Sequence, residues 1–259
     1  MPSWAPNAPP APGAPARPPL RGGALRVEWG QVSNGGDAMP AAIFDMDGVL
    51  VDSNPAHFQA WKAFGKQYGI EIDEATYAKY INGRRNDEFL EELYPGRWSY
   101  EERLRIAAEK EAFYREHLAA QVPPVPGVVE TIRALAERQV PLAVATSGPR
   151  ENAELITEQL GVRPLFQVLV SGHDVPLAKP DPTIFLEAAR RLGVPPAQCV
   201  VFEDSPAGVE AAIRAGAYCV GLATSEPAEV LKAKGAHDVI SDFTRLDLEA
   251  LLARLAGRA

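Results

Sequence analysis

The residues best suited to chemistry lie in short clusters far apart in the chain. Asp45-Met46-Asp47-Gly48 follows the apolar run 41–44, and Glu203-Asp204-Ser205 follows the apolar run 199–202. Four carboxylates gathered in one crevice would repel one another unless a cation neutralised them. Oxygen donors alone suit Mg²⁺, which takes one or two carboxylates, waters and a phosphate oxygen of its substrate. The spacing of the first pair lets Asp45 face a phosphorus atom in line while Asp47 reaches the attacking or leaving oxygen. A carboxylate nucleophile would form an aspartyl-phosphate and divide one difficult hydrolysis into two easier steps. Asp47 would then serve as general acid and base, and Gly48 would let the backbone turn closely around a phosphate.

Thr146-Ser147-Gly148 follows a third apolar run, 141–145, and precedes a helix start near Pro149. A hydroxyl with free N–H groups at a helix start makes an anion site. Lys179, in Ala-Lys-Pro-Asp-Pro, offers the cation that a transferring phosphoryl group needs. Taken singly, each of these residues has an ordinary use as a strand-end cap, a helix N-cap or a solvated surface lysine. Acidic pairs closing two separate buried strands favour metal and phosphate over those uses.

The elements that must position these residues can be read from the same apolar runs. They recur at 41–44, 141–145, 166–170, 199–202 and 218–222, with a weaker one at 237–240. Continuous rather than alternating apolarity indicates strands covered on both faces, as in parallel sheets. Helices lie between them: Asp181-Pro182 starts one that stops at Gly193, and Ser205-Pro206 starts one that stops at Gly216. The pattern predicts an α/β fold, a doubly wound parallel sheet whose ligand site lies beyond the carboxyl ends of its strands.

One interval breaks the rhythm. Between the first two strands there are only amphipathic helices: Asn54-Pro55 opens one carrying Phe58, Trp61, Phe64 and Tyr68 on one face, and Ser99-Tyr100-Glu101-Glu102 is a capping box opening another. Residues 55–122 therefore read as an α-helical cap domain inserted into a core made of 39–54 and 123–259, with the Pro-rich stretch 122–127 marking the return. Residues 1–38, which hold eight of the 24 prolines within the first 19 positions, read as a disordered Pro/Ala/Gly-rich extension.

Composition bounds the partners. The net charge of −8 argues against nucleic acid or an anionic membrane, both of which need a basic face. No apolar stretch approaches the ~20 residues that span a bilayer, and the start lacks a secretory signal, so the expected location is the cytoplasm. Cys199 and Cys219 each adjoin an apolar run and read as buried strand residues in a reducing compartment. The expected partner is a small phosphorylated substrate.

The motifs IFDMDGVLVDS, VATSG, AKPDP and VFEDSPAGVEAAIRAG occur in this order over about residues 40–245. Together they resemble the haloacid dehalogenase superfamily, in its branch with a helical cap after the first strand, which has a Rossmann-like core. The resemblance implies that Asp45 is the nucleophile and Asp47 the acid/base. It also implies that Thr146 and Lys179 hold the phosphate, that Asp45, the Asp47 carbonyl and Asp204 bind Mg²⁺, and that Glu203 supports the metal site. True dehalogenases of that superfamily use a single aspartate and no metal carboxylates, so the second aspartate and the acidic pair argue for phosphate chemistry.

Specificity in that superfamily comes from the cap. The stretch His57-Phe58-Gln59-Ala60-Trp61-Lys62 is similar to one in β-phosphoglucomutases, where the matching His and Trp belong to the cap hinge and sugar pocket. In the mutases a glycine matching Gly83 is followed three residues later by an arginine that grips a distant phosphate. Here that place is Asn86, with arginines displaced to Arg84 and Arg85. A Lys-Asn pair of the mutases is replaced by Pro149-Arg150. The segments NGRRNDEFLEELYPG and ENAELITEQLG are similar to broad-range sugar phosphatases of the plant type. The expected function is a Mg²⁺-dependent phosphatase of sugar phosphates, with substrate contacts from Gly48, His57, Trp61, Gly83, Arg84, Arg85, Asn86, Ser147, Gly148 and Arg150. A phosphomutase with the same chemistry is the main alternative, and a noncatalytic phosphosugar-binding regulator a more remote one.

Overall fold

Each apolar run read as a strand forms one in the computed structural model, which describes residues 40–257; the extension 1–38 lies outside the described residues. The strands are β1 (Ala41–Phe44), β2 (Leu142–Thr146), β3 (Val168–Ser171), β4 (Cys199–Glu203), β5 (Tyr218–Leu222) and β6 (Asp238–Ile240). They form one sheet in the order β3-β2-β1-β4-β5-β6, with every neighbouring pair parallel.

Apolarity is continuous along the strands because both faces of the sheet are covered. Ala42 and Phe44 of β1 enter one apolar cluster with Val144, Val200 and Phe202, while Ala41 and Ile43 enter a second with Ala143, Val201 and Cys219 on the opposite face. The first cluster is closed by α5 (Val128–Glu137), α6 (Arg150–Gln159) and α10 (Leu248–Ala256), the second by α7 (Thr183–Leu192), α8 (Pro206–Ala215) and α9 (Ala228–Ala233). Both cysteines are buried and free, and burial pushes the Cys199 thiol up to about 12.

Between β1 and β2 the chain runs through α1 (Asn54–Phe64), α2 (Glu74–Tyr80), α3 (Asn86–Leu93) and α4 (Tyr100–His117) before α5 returns to the sheet. These four helices and the segments between them build their own apolar cluster of Trp61, Ile70, Ile72, Tyr77, Ile81, Phe89, Leu90 and Ile106. The Ser99–Glu102 capping box starts α4. Val51 and Pro124 form an antiparallel bridge, so the segments entering and leaving the helical insertion lie side by side. Among the described residues no helix is long and apolar enough to cross a membrane.

The register places the chemistry. Phe44 pairs with Val144 on one side and Phe202 on the other, so the residues that follow all three strands emerge together at one edge of the sheet. Central strands of opposite winding diverge there and leave a crevice.

Candidate active site

The loop after β1 divides two aspartates between different surroundings. Asp45, whose backbone N–H donates to the Phe202 carbonyl (3.0 Å), turns its carboxylate toward Lys179. The Lys179 ammonium donates to Asp45 Oδ1 at 2.6 Å and to Glu203 Oε1 at 2.5 Å. Glu203 Oε2 accepts from the backbone N–H and the hydroxyl of Ser205 (2.9 and 3.0 Å). Gly208, in the first turn of α8, is needed for this: a Cβ there would coincide with the Glu203 carboxylate.

Charge in this buried group is incompletely balanced. Asp45, Glu203 and Asp204 are all buried, and one carboxylate oxygen of each lies within 4.8 Å of the others. Lys179 serves the first two. Among the described residues Asp204 has only neutral hydrogen-bond partners, Asn54 Nδ2 at 3.1 Å and the Ser225 hydroxyl. Burial pushes the Asp45 carboxyl up to about 8, opposed by Lys179 and reinforced by Glu203 and Asp47. Burial, then the charges of Glu203 and Asp45, raise the Asp204 carboxyl as well. For Lys179, burial would lower the ammonium, but contact with the two carboxylates outweighs it and holds the proton on. Three buried carboxylates against one ammonium, with oxygen donors only, fit a hard divalent cation. Gly48 stands against this group with φ of 73°; a Cβ there would collide with the Asp204 carboxylate.

Asp47 faces the helical insertion. It accepts from the Ser53 hydroxyl (2.5 Å) and meets His57 Nε2 at 3.0 Å. Lys110 Nζ approaches His57 Nδ1 at 2.7 Å. An ammonium can only donate, so Nδ1 accepts and Nε2 carries the proton given to Asp47. Burial alone would raise the Asp47 carboxyl, but His57 and the two hydrogen bonds outweigh it and hold it below the usual range. Tyr114 stacks on the His57 ring at 3.9 Å and fixes its plane.

A cleft opens above both aspartates. Asp45, Asp47, Thr146, Ser147 and Gly148 line it from the sheet edge; Asn54, His57, Tyr77, Ile81, Gly83, Arg84, Asn86, Lys110 and Glu111 line it from the insertion. Thr146 Oγ1 accepts from the Gly148 N–H (3.0 Å), and the Ser147 hydroxyl donates to the Gly83 carbonyl (2.9 Å). Lys179, Glu203 and Asp204 sit behind Asp45, almost wholly buried.

Several residues expected from the sequence to touch substrate stand elsewhere. Trp61 is fully buried in the core of the insertion, edge-on to Phe89 at 4.9 Å, because its face of α1 packs on α3 and α4. Arg150 turns away from the cleft to the Leu169 carbonyl and Asp174 (3.0 and 2.9 Å). Arg85 is clamped by Asp87 through two hydrogen bonds (3.1 and 2.9 Å) and faces a neighbouring cavity shared with Arg115 and His173. Gly48 faces the acidic group and not the open cleft. Arg84 does line the cleft but is paired with Glu92 at 2.7 Å, and Asn86 donates to Glu111 at 2.6 Å.

Other cleft residues escaped the sequence reading. Asn54 was legible only as a helix opener, yet its side chain bonds Ser225 and Asp204. Lys110 and Glu111 were given no role by the sequence. Their one trace is register, since both fall between the buried Ala107 and Tyr114 on the same stripe of α4.

Comparison with known proteins identifies the family. The model of a family of hydrolases, the haloacid dehalogenase-like hydrolases, matches residues 39–216. The chain belongs to that family. Among relatives of this haloacid dehalogenase-like hydrolase, the validoxylamine A 7'-phosphate phosphatase of Streptomyces hygroscopicus subsp. limoneus is 36% identical over 190 residues, covering 73% of this chain and 88% of that protein. The fructose-1-phosphate phosphatase of Escherichia coli (strain K12) is 35% identical over 181 residues, covering 70% and 94%. The crystal structure of a β-phosphoglucomutase from Clostridium difficile superposes with a TM-score of 0.73 at 26% identity, covering 85% of this chain and 98% of that one. The family-level expectations, an α/β parallel-sheet fold and an enzyme of the phosphatase and phosphomutase kind, are thereby met.

Proposed function

We propose that this enzyme is a Mg²⁺-dependent phosphatase of small sugar phosphates acting through an aspartyl-phosphate on Asp45. The observation that carries this reading is the division of labour in one loop: Asp45 is set against Lys179 and the acidic group, and Asp47 against His57 and the cleft. In the first step Asp45 attacks phosphorus, the ester P–O bond breaks, and Asp47 gives its proton to the leaving alkoxide. In the second, Asp47 takes a proton from water as the water oxygen attacks phosphorus, and the bond to Asp45 breaks to release phosphate. An arriving phosphate dianion supplies the negative charge that lets Asp47 take up a proton first. Thr146, Ser147 and Lys179 would hold the phosphoryl oxygens.

Asp45, Asp204 and the Asp47 carbonyl would hold Mg²⁺, with Glu203 in support, its oxygens already engaged by Lys179 and Ser205. When bound, the ion would neutralise charge on the transferring phosphoryl group. Residues 55–122 would act as a cap over the cleft that excludes bulk water, and the expected site of action is the cytoplasm.

Phosphatase is favoured over phosphomutase by the state of the arginines. A mutase must grip a second phosphate, and Arg84, Arg85 and Arg150 are each paired with a carboxylate of their own neighbourhood. The test uses β-glucose 1-phosphate with Mg²⁺ and a trace of glucose 1,6-bisphosphate, beside a panel of sugar phosphates. Rapid phosphate release with little glucose 6-phosphate is expected; fast glucose 6-phosphate formation with little phosphate release would establish the mutase instead.

A further inference from the structure

The hydrogen bonds that reach Asp47 do not end at Lys110. Lys110 Nζ also donates to Glu111 Oε1 at 2.8 Å, and the other oxygen of Glu111 accepts from Asn152 Nδ2 at 2.7 Å. Asn152 lies in the first turn of α6, just past the Thr146–Gly148 segment, so this bond crosses from the helical insertion to the sheet side of the molecule. The Asn152 Oδ1 accepts from Arg115 of α4 at 2.7 Å. Asn152 is wholly buried and Glu111 nearly so. A buried amide that donates to one α4 side chain and accepts from another fixes the position of that helix against α6 in both directions.

Glu111 itself lines the cleft, and through Lys110 it determines where the His57 ring is held. The five side chains Asn152, Glu111, Lys110, His57 and Asp47 thus form one continuous chain, anchored at its far end on α6. Without the Asn152 amide, Glu111 would lose one of its hydrogen bonds inside the protein, and a buried carboxylate so deprived moves to find another partner. Lys110 would move with it, and His57 would lose the contact that sets its tautomer toward Asp47.

We infer that Asn152 is a positioning residue: by clamping Glu111 it holds Lys110 and His57 so that Asp47 is aimed at the leaving oxygen of the substrate. The inference rests on the reading of Asp47 as general acid given above. It predicts a loss that depends on the leaving group. A sugar alkoxide needs a proton as it departs, whereas p-nitrophenolate departs readily without one, so misaiming the acid should penalise the first far more than the second. The quantity to compare is kcat/KM, which covers only the steps through loss of the leaving group.

The experiment measures kcat/KM of the wild-type protein, Asn152→Ala and Asn152→Asp, with Mg²⁺ present. The substrates are p-nitrophenyl phosphate and the best of glucose 1-phosphate, glucose 6-phosphate and fructose 1-phosphate. Asn152→Asp keeps the acceptor for Arg115 and sets a carboxylate against Glu111, so it breaks the relay with little change of shape. The expected result is a roughly ten- to hundredfold loss on the sugar phosphate in both variants, with p-nitrophenyl phosphate within about threefold of wild type. Equal losses on both substrates would mean that Asn152 only supports the fold, and no loss on either would mean that the relay is idle; each overturns the inference. Both substrates are read on the same preparation, so an unfolded fraction cancels in their ratio. A wild-type protein that releases phosphate from none of the sugar phosphates would instead refute the proposed function, a result distinct from either.

Discussion

Asp45 and Asp47 are the same residue type two positions apart, and only their partners separate their roles. Asp45 sits with an ammonium and two further carboxylates, and Asp47 with an imidazole and a hydroxyl. On the proposed mechanism Asp45→Asn removes the nucleophile and little packing, so phosphate release should fall by of the order of 10⁴ or more while the circular dichroism spectrum stays unchanged. Normal turnover in that variant would end the aspartyl-phosphate mechanism. Gly208 makes a second residue-scale case, because its missing Cβ is the space the Glu203 carboxylate fills. Gly208→Ala should destabilise by about 1–3 kcal/mol through overpacking, seen as a lower urea midpoint, and should cost activity by displacing Glu203 from Lys179.

At the scale of elements, α1 and α4 each carry packing residues and cleft residues on one buried stripe, His57 with Trp61 and Lys110 and Glu111 with Ala107 and Tyr114. Trp61 packs edge-on to Phe89, so Trp61→Ala should cost about 3–5 kcal/mol in denaturant unfolding, the loss expected of a core side chain. On α4, burial would raise the Glu111 carboxyl, but Lys110, the neighbouring His57 ring and the hydrogen bonds from Lys110 and Asn152 outweigh it and hold it at about 2. A carboxyl lowered in the folded state contributes stability that is complete above its ordinary value of 4.5 and is lost as pH falls toward 2. Its share is of the order of 3 kcal/mol. Urea midpoints measured between pH 5.5 and pH 2.5 should therefore fall more steeply for the wild type than for Glu111→Gln, and parallel curves would show that Glu111 carries no such linkage.

At the scale of the whole molecule, the sheet edge supplies Asp45, Asp47 and the Thr146–Gly148 segment, and the insertion supplies His57, Lys110, Glu111 and Asn86 to the same cleft. Three buried carboxylates facing one lysine mean that the site should need its cation. EDTA should abolish phosphate release and Mg²⁺ should restore it, whereas full activity without any divalent ion would contradict the metal reading. The pairing of Arg84, Arg85 and Arg150 with nearby acids makes a further whole-site expectation: sugar monophosphates should be hydrolysed in preference to the corresponding bisphosphates, as a comparison of kcat/KM would show.

The sequence by itself determined the strands, their burial on both faces of a parallel sheet and the convergence of Asp45, Thr146, Glu203 and Asp204. Continuous apolar runs and the residues closing them are local signals, and open parallel sheets bring strand ends together by construction. Lys179 and His57 were legible through the motifs that resemble the family, Lys179 in AKPDP and His57 one turn into the helix that follows the first loop. What the insertion does was decided by tertiary structure. Whether Arg84, Arg85 or Arg150 faces substrate depends on acids at 92, 87 and 174 that happen to lie within reach, and Trp61 is packing or pocket according to which face of α1 meets α3. Lys110, Glu111 and Asn152 carried no local signal in the sequence. Their burial in one relay follows from the packing of α4 against α6, a contact between residues about forty apart (|i−j| of 41 for Glu111 and Asn152) that no local pattern records.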